Sequence, residues 1–312
     1  MAPPTVLAID IGGTKLAAGL VDRQGALTRR RRAATPSGSD PEALFETLVA
    51  LVADVVDGPR DGVGIEGTTD DGTGDDGTGS AAPVAVGVGC GGPMAVADGV
   101  ATVSPLNIPA WRGFPLADRL AEHVGLPTAV DNDAKALALG EGWVGAAVGV
   151  DDYIAMVVST GVGGGIVLDG RLLDGAEGNA GHIGHLIVEP GGRTCPCGAA
   201  GCLEAEVSGL AIAAATGRPA AEAPRPVRVR TGTLVGRAVA SVANLLDLRL
   251  ACVAGSVALG FGEVFLAAAR AEVDACARLS FSRSTEIRLG GLGDRGPLVG
   301  AGALGWRLVD GL

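Results

Sequence analysis

Twice in this chain a short apolar, β-branched run breaks off into a turn of glycines and hydroxyl residues. Thr5–Asp10 leads into Gly12-Gly13-Thr14-Lys15. Tyr153–Val158 leads into Ser159-Thr160-Gly161, and Gly163–Leu168 returns as a further strand. A strand end free of Cβ atoms lets backbone N–H groups come close to an anion, and the hydroxyls add donors. One such turn is compatible with a plain hairpin. Two of them, each opening one half of a 312-residue chain, point to a duplicated α/β unit with an anion cradle in each half. Neither is a Walker loop, because G-x-x-x-x-G-K-[ST] does not occur.

The spacing between the cradles supports two lobes, 1–145 and 146–312. Leu16–Val21 and Leu27–Ala33 continue a meander after the first turn. Pro41–Val56 carries helical spacing with Asp40 as its cap. Val84–Val88, Leu116–Val124, Thr128–Val130 and Ala134–Val144 then read as strand, helix, strand and helix. In the second half a helix is expected over Ala205–Ala215, followed by a Pro-rich linker at Arg218–Pro226. Within the first half, residues 57–83 turn abruptly to Gly, Asp and Thr, a composition that cannot bury enough apolar area to order itself, so a disordered acidic insertion is expected. Its Gly-Asp repeats lack the regular apolar position that calcium-binding repeats need.

Hydrophobic residues make up 47% of the chain and charged ones 19%, enough to fill a core in each half. The formal net charge of -11 argues against nucleic acid as a partner, since a phosphate backbone calls for surplus Lys and Arg. The basic run Arg29–Arg32 reads as a strand whose alternate arginines face water. No apolar run is long enough to span a bilayer, and no signal segment precedes the first strand, so no membrane partner and a cytoplasmic location are expected. Cys90, Cys252 and Cys276 stand in apolar contexts and read as small core residues.

His185, Cys195, Cys197 and Cys202, in the order H-x9-C-x-C-x4-C, form a tetrahedral donor set suited to structural zinc. Asp131-Asn132-Asp133 lies between a strand and a helix. A carboxylate there can orient a hydroxyl nucleophile and take its proton; the plainer alternative is that these side chains cap the helix. Asp10, at its strand end, can hold magnesium through water.

Together these residues resemble the ROK family (repressors, open reading frames and kinases), within the sugar kinase, Hsp70 and actin superfamily. Val158 to His185 fits that family's glycine-rich consensus, and the similarity runs from Asp10 to the last helix. The resemblance implies a duplicated actin-like, ribonuclease H-like ATPase fold around a nucleotide and sugar cleft. It implies ATP and Mg2+ as cofactors, with Asp10, Gly12, Gly13, Thr14, Lys15, Thr160, Gly161 and Gly163 at the phosphates and Gly255-Ser256 at the adenosine. Where the family usually has a second Gly, this chain has Ala254.

By the same resemblance Asp133 is the catalytic base, while Asn132, His182, His185, Glu204 and Gly92 bind the sugar. His185, Cys195, Cys197 and Cys202 hold structural Zn2+. Most family glucokinases have Glu where His182 stands, and the His182-Ile183-Gly184-His185 form is similar to that of N-acetylmannosamine kinases. Imidazole supplies a donor in place of an acceptor-only anion, which suits an acetamido carbonyl. His182 as a packed core residue or support for the metal, and Glu204 as an ordinary first-turn glutamate, remain the alternatives.

The expected activity is ATP-dependent phosphorylation of a hexose 6-hydroxyl, on N-acetylmannosamine or, as Asn107-Ile108-Pro109 and Trp111-Arg112-Gly113 suggest, on glucose. A sugar-responsive regulator of the family would carry a helix-turn-helix ahead of the first strand, for which Thr5 leaves no room. A non-catalytic sugar-binding protein is the third reading. A homodimer or homotetramer is implied. The family often has Asn where this chain has Lys135, a departure without a functional account from sequence.

Overall fold

The computed structural model describes residues 3–58, 69–70, 82–97 and 100–312. Contacts divide these into two compact units. The first holds the chain up to Trp143, the short segment Asp174–Asn179, and Arg295–Leu312. The second holds Val144–Leu173 and Ala180–Asp294.

The first unit opens with β1 (Thr5–Ile11), β2 (Lys15–Asp22) and β3 (Leu27–Ala34) as an antiparallel meander. α1 (Pro41–Val56) follows, its first turn capped by the Asp40 side chain, which accepts from the Glu42 N–H. β4 (Thr69–Asp70) lies inside the acidic insertion and pairs with β3 at Arg31 and Arg32; the rest of 59–81 lies outside the described residues. β5 (Pro83–Cys90), the hairpin β6 (Met94–Ala97) and β7 (Val100–Val103), α2 (Leu116–Val124), β8 (Thr128–Asn132) and α3 (Asp133–Val144) complete this stretch.

The strand order is β4-β3-β2-β1-β5-β8, with β1, β5 and β8 parallel. β1 alternates Leu7, Ile9 and Ile11 toward one apolar cluster, shared with α1 and α2, and Val6 and Ala8 toward another. A central strand buried on both faces therefore reads as one continuous apolar run.

The second unit repeats the plan. β9 (Tyr153–Val158), β10 (Val162–Leu168) and β11 (Arg171–Leu172) form the meander, and after the His/Cys loop come α4 (Leu203–Val207), α5 (Gly209–Thr216) and α6 (Arg225–Leu246). β12 (Leu250–Ala254), α7 (Ser256–Cys276) and β13 (Glu286–Leu289) follow, giving the order β11-β10-β9-β12-β13 with β9, β12 and β13 parallel. Third, second, first, then two parallel strands is the order in both sheets, with β4 added at the edge of the first. The chain ends in α8 (Gly296–Asp310), which packs on β1 and β5 of the first unit although it is last in sequence.

Three local expectations change. The helix expected over Ala205–Ala215 is two, because the Ser208 hydroxyl accepts from the Ala211 N–H as a new cap and the Gly209 N–H turns to the Ser159 carbonyl. The arginine run does not alternate into water. Arg29 takes a left-handed φ of 49° and the β2–β3 register shifts opposite Gly19, a bulge that turns Arg30 inward to 5% exposure. Cys276, at the end of α7, is exposed, whereas Cys90 and Cys252 are buried. Among the described residues no helix is long and apolar enough to cross a membrane.

Candidate active site

In the first sheet the parallel strands β1, β5 and β8 finish side by side: Asp10 is level with Gly89, and Gly89 with Asp131. Ligands of open α/β sheets gather at such carboxyl ends. Asp10 is buried at the end of β1, and its carboxyl is pushed up to about 7, by burial first and then by the Asp133 charge. Lys15 and Arg30 work the other way. Asp133 is the first residue of α3. Its carboxyl is likewise raised by burial, partly offset by the backbone N–H of Ala134, which donates to Oδ1 at 2.8 Å. Its backbone packs on Gly89, where a Cβ would lie 3.4 Å from its Cα. A buried acidic pair of this kind suits a divalent cation, which would relieve the repulsion.

Asn132 Oδ1 also accepts from the Ala134 N–H, at 3.0 Å. Both side chains therefore cap α3, and capping holds them in fixed rotamers while leaving Asn132 Nδ2 and the second Asp133 oxygen for other partners. Asp131, the third side chain for which capping is the alternative, has other partners. Its Oδ1 accepts from the Asn132 N–H at 2.7 Å and its Oδ2 meets Lys135 Nζ at 2.9 Å.

The first glycine turn is more committed than its sequence implies. The Gly12 N–H donates to the Lys15 carbonyl at 3.0 Å, and the Thr14 carbonyl accepts from the Thr35 N–H. Thr14 and the start of β2 at Lys15 remain exposed. Gly13 is required by a neighbour: a Cβ there would sit 2.8 Å from Asn107 Nδ2. The Asn107 amide thus lies against the turn and also near Gly91. Arg112 holds the Asn107 loop by donating to the Pro105 and Ile108 carbonyls at 2.8 and 2.9 Å. Trp111 is core, fully buried and stacked on Phe114. The Gly92 carbonyl accepts from the Leu106 N–H.

In the second unit the cradle is the β9–β10 hairpin turn, with Thr160 exposed and Gly163 paired opposite Val157 inside β10. Ser159 and Ser256 share a hydroxyl–hydroxyl hydrogen bond of 2.9 Å, which joins this turn to the start of α7. Gly255, at φ 96°, lies against the Val158 backbone and admits no side chain. Glu204 reaches the same turn. Its Oε2 accepts from the Val162 N–H at 2.9 Å, and a Cβ on Gly161 would meet that oxygen at 2.8 Å. Glu204 is therefore more than a first-turn glutamate: it latches α4 to the hairpin.

His185, Cys195, Cys197 and Cys202 converge, their donor atoms all within 4.8 Å of one another. Cys195 Sγ lies 3.7 Å from His185 Nδ1, and Cys197 Sγ 3.7 Å from Cys202 Sγ. Metal–sulfur bonds of about 2.3 Å at tetrahedral angles set neighbouring donors roughly 3.7 Å apart, so this set fits a four-coordinate ion. Burial, with the neighbouring thiols, pushes Cys202 up to about 12. Cys197 is held below the ordinary thiol value, by the Ala199 backbone N–H first and then by the neighbouring thiols. The His182 ring lies 6.0 Å from that of His185, centroid to centroid.

Sequence reasoning names Asn107, Arg30 and Lys135 without giving any of them a place in the site, and this geometry brings them forward: Asn107 at the first turn, Arg30 beside Asp10, and Lys135 under Asp131. A lone Asn in a loop gives little signal for the first. The other two depend on a bulge and on a distant partner.

The sequence pattern of the ROK family matches residues 76–307, which takes in Asn132–Asp133, the His/Cys cluster and Gly255 but not the first glycine turn. An N-acetylmannosamine kinase of Escherichia fergusonii is 35% identical over 278 residues, covering 84% of this chain and 86% of its own length. A ROK family glucokinase from Streptomyces griseus, solved in complex with glucose and AMPPNP, superposes with a TM-score of 0.78 at 31% identity, over 97% of this chain and 99% of that one. A ROK hexokinase from Thermus thermophilus gives a TM-score of 0.74 at 30% identity, over 99% and 100%.

Proposed function

The chain belongs to the ROK family, and we propose that it is an ATP-dependent sugar kinase whose acceptor is the 6-hydroxyl of N-acetylmannosamine. Its two sheets of like order are those of the duplicated actin-like ATPase fold. The observation that carries the reading is Asp133, held by its cap at the carboxyl end of the β8 strand beside Asp10.

Phosphoryl transfer leaves the protein little covalent chemistry and much positioning. Asp133, ionised, accepts the hydrogen of the sugar 6-hydroxyl while that oxygen bonds to the γ-phosphorus and the β–γ bridging oxygen leaves as ADP. Asn132, whose Oδ1 is used by the cap, donates through Nδ2 to a neighbouring sugar oxygen in this reading. Thr14, Lys15 and Thr160 offer donors to the phosphates, and Gly255-Ser256 opens α7 for the adenosine. Asp10 is the residue that would hold magnesium, which supplies charge neutralisation at the phosphate oxygens.

His185, Cys195, Cys197 and Cys202 would hold zinc, which supplies a structural staple for the loop leading to Glu204. His185 and Glu204 are the further residues assigned to acceptor binding in this reading. His182 donates to the acetamido carbonyl, a contact that glucose cannot return. The E. fergusonii relative's name supports that acceptor.

Glucose is the second reading, favoured by the S. griseus neighbour. An ADP-release assay over N-acetylmannosamine, N-acetylglucosamine, glucose, mannose and fructose decides. N-acetylmannosamine should lead in kcat/KM by at least about tenfold, the factor to which a net hydrogen bond of about 1.4 kcal/mol corresponds. Glucose in the lead would replace the acceptor. No sugar-dependent ADP release would remove the kinase reading.

A further inference from the structure

Lys135 is among the most buried side chains of the protein, 2% exposed, in a position where an amine is costly unless paired. Its Nζ meets Asp131 Oδ2 at 2.9 Å, Asp174 Oδ1 at 2.8 Å and the Gly178 carbonyl at 3.2 Å. Two of these partners lie on Asp174–Asn179, a segment that packs with the first unit although its flanking residues belong to the second. The far end of the segment is fixed as well. Asn179 Oδ1 accepts from the Met94 N–H at 3.0 Å, and its Nδ2 donates to the Met94 carbonyl at 2.9 Å, so that one side chain pairs with β6 as a strand would. The segment borders a cavity of about 550 Å³ lined by Met94, Val103, Val130, Asp131, Lys135 and Glu177, among others. These polar contacts hold the segment beside that cavity.

Both ends of this arrangement run straight into the proposed sugar contacts. Asp131 precedes Asn132-Asp133. Asn179 stands three residues before His182 and six before His185 of the His/Cys cluster. We propose that Lys135 is a positioning residue for acceptor binding: one buried ammonium fixes Asp131 on one side and the 174–179 segment on the other. It thereby sets the Asn132–Asp133 corner and anchors the start of the chain that continues to His182 and His185. This rests on the sugar-kinase reading for what is bound, but not for what is held in place. Asp131, Asp174 and Gly178 all lie outside the phosphate-facing turns at Gly12–Lys15 and Ser159–Gly161, so the effect should be selective for the acceptor.

The test uses Lys135→Met, Lys135→Arg and Asp174→Asn in the full chain. Asp174 is 70% exposed at its side chain, so its variant keeps the Lys135–Asp131 pair and the fold even where Lys135→Met is poorly stable. Two readouts are taken: hydrogen exchange of residues 174–185, and the separate KM values for ATP and for the sugar that the wild type phosphorylates. Lys135→Met should raise the sugar KM roughly tenfold and Asp174→Asn about threefold, with the ATP KM within about twofold, and the two should be non-additive when combined. Lys135→Arg should recover part of the loss. Exchange over 174–185 should quicken in both Lys135→Met and Asp174→Asn.

An unchanged sugar KM in Asp174→Asn together with unchanged exchange would overturn the proposal, as would equal rises in both KM values. If the wild type turns over no sugar, the kinase reading fails on its own, and the exchange measurement still decides whether Lys135 holds the segment.

Discussion

A carboxylate that is to accept a hydroxyl proton must be charged, and burial makes that charge expensive. Asp133 lies where burial raises its pKa, with the Ala134 N–H pulling the other way. In the proposed role its working form is the ionised one, so activity should be present above the raised pKa and lost as pH falls through it. The acid limb of the kcat/KM profile should therefore lie above the ordinary aspartate value of about 3.9. A pH–rate series with the best acceptor checks this; a limb at or below that value would mean that Asp133 is not the titrating base. Asp133 is legible in sequence, because a strand end followed by Asp-Asn-Asp and a helix is a local pattern. Lys135 is not. Its partner Asp174 is 39 residues away, and no spacing rule connects them. Arg30 misleads for a related reason: alternation predicts an outward face only while the strand keeps register, and the bulge opposite Gly19 breaks it.

At the scale of elements, the His/Cys loop is the clearest case of sequence dictating structure. Four donors within one short stretch give an unambiguous cluster, since closing that loop costs little. What the spacing does not reveal is how the loop acts on its surroundings. Cys202 leads directly into α4, and Glu204 then latches that helix to the Val162 N–H of the β9–β10 hairpin. If the cluster holds zinc as proposed, removing the ion should loosen this chain of contacts. Treatment with a strong chelator, or Cys197→Ser, should lower the melting temperature and raise the sugar KM severalfold more than the ATP KM. Unaltered sugar KM in protein shown to be metal-free would break the link between loop and acceptor. The β6–β7 hairpin escapes a sequence reading because its strands are short, although Asp98-Gly99 is a turn signal in its own right.

The whole molecule is one topology used twice, and the paired glycine turns make that duplication readable in the sequence alone. The assignment of the last helix is not readable there. An amphipathic stripe says that α8 must bury a face but not which sheet will cover it. Contacts give it to the first unit, where the Trp306 indole N–H donates to the Asp22 carbonyl at 3.0 Å and Arg23 lies over the ring. Trp306 is 4% exposed, so Trp306→Ala should cost about 3–5 kcal/mol, seen as loss of stability with Asp133 chemistry intact in the folded fraction. Urea titration followed by activity separates the two; near-wild-type stability would show that α8 is dispensable to the first sheet.

The central claim is that Asp133 takes the proton of a sugar hydroxyl during phosphoryl transfer from ATP. Asp133→Asn keeps the size and the cap to Ala134 while removing the base, so turnover and sugar binding can be measured side by side on one folded protein. Sugar-dependent ADP release should fall by about 10²–10⁴-fold while calorimetric sugar affinity stays within a few-fold. Turnover by Asp133→Asn near the wild-type rate would contradict the account.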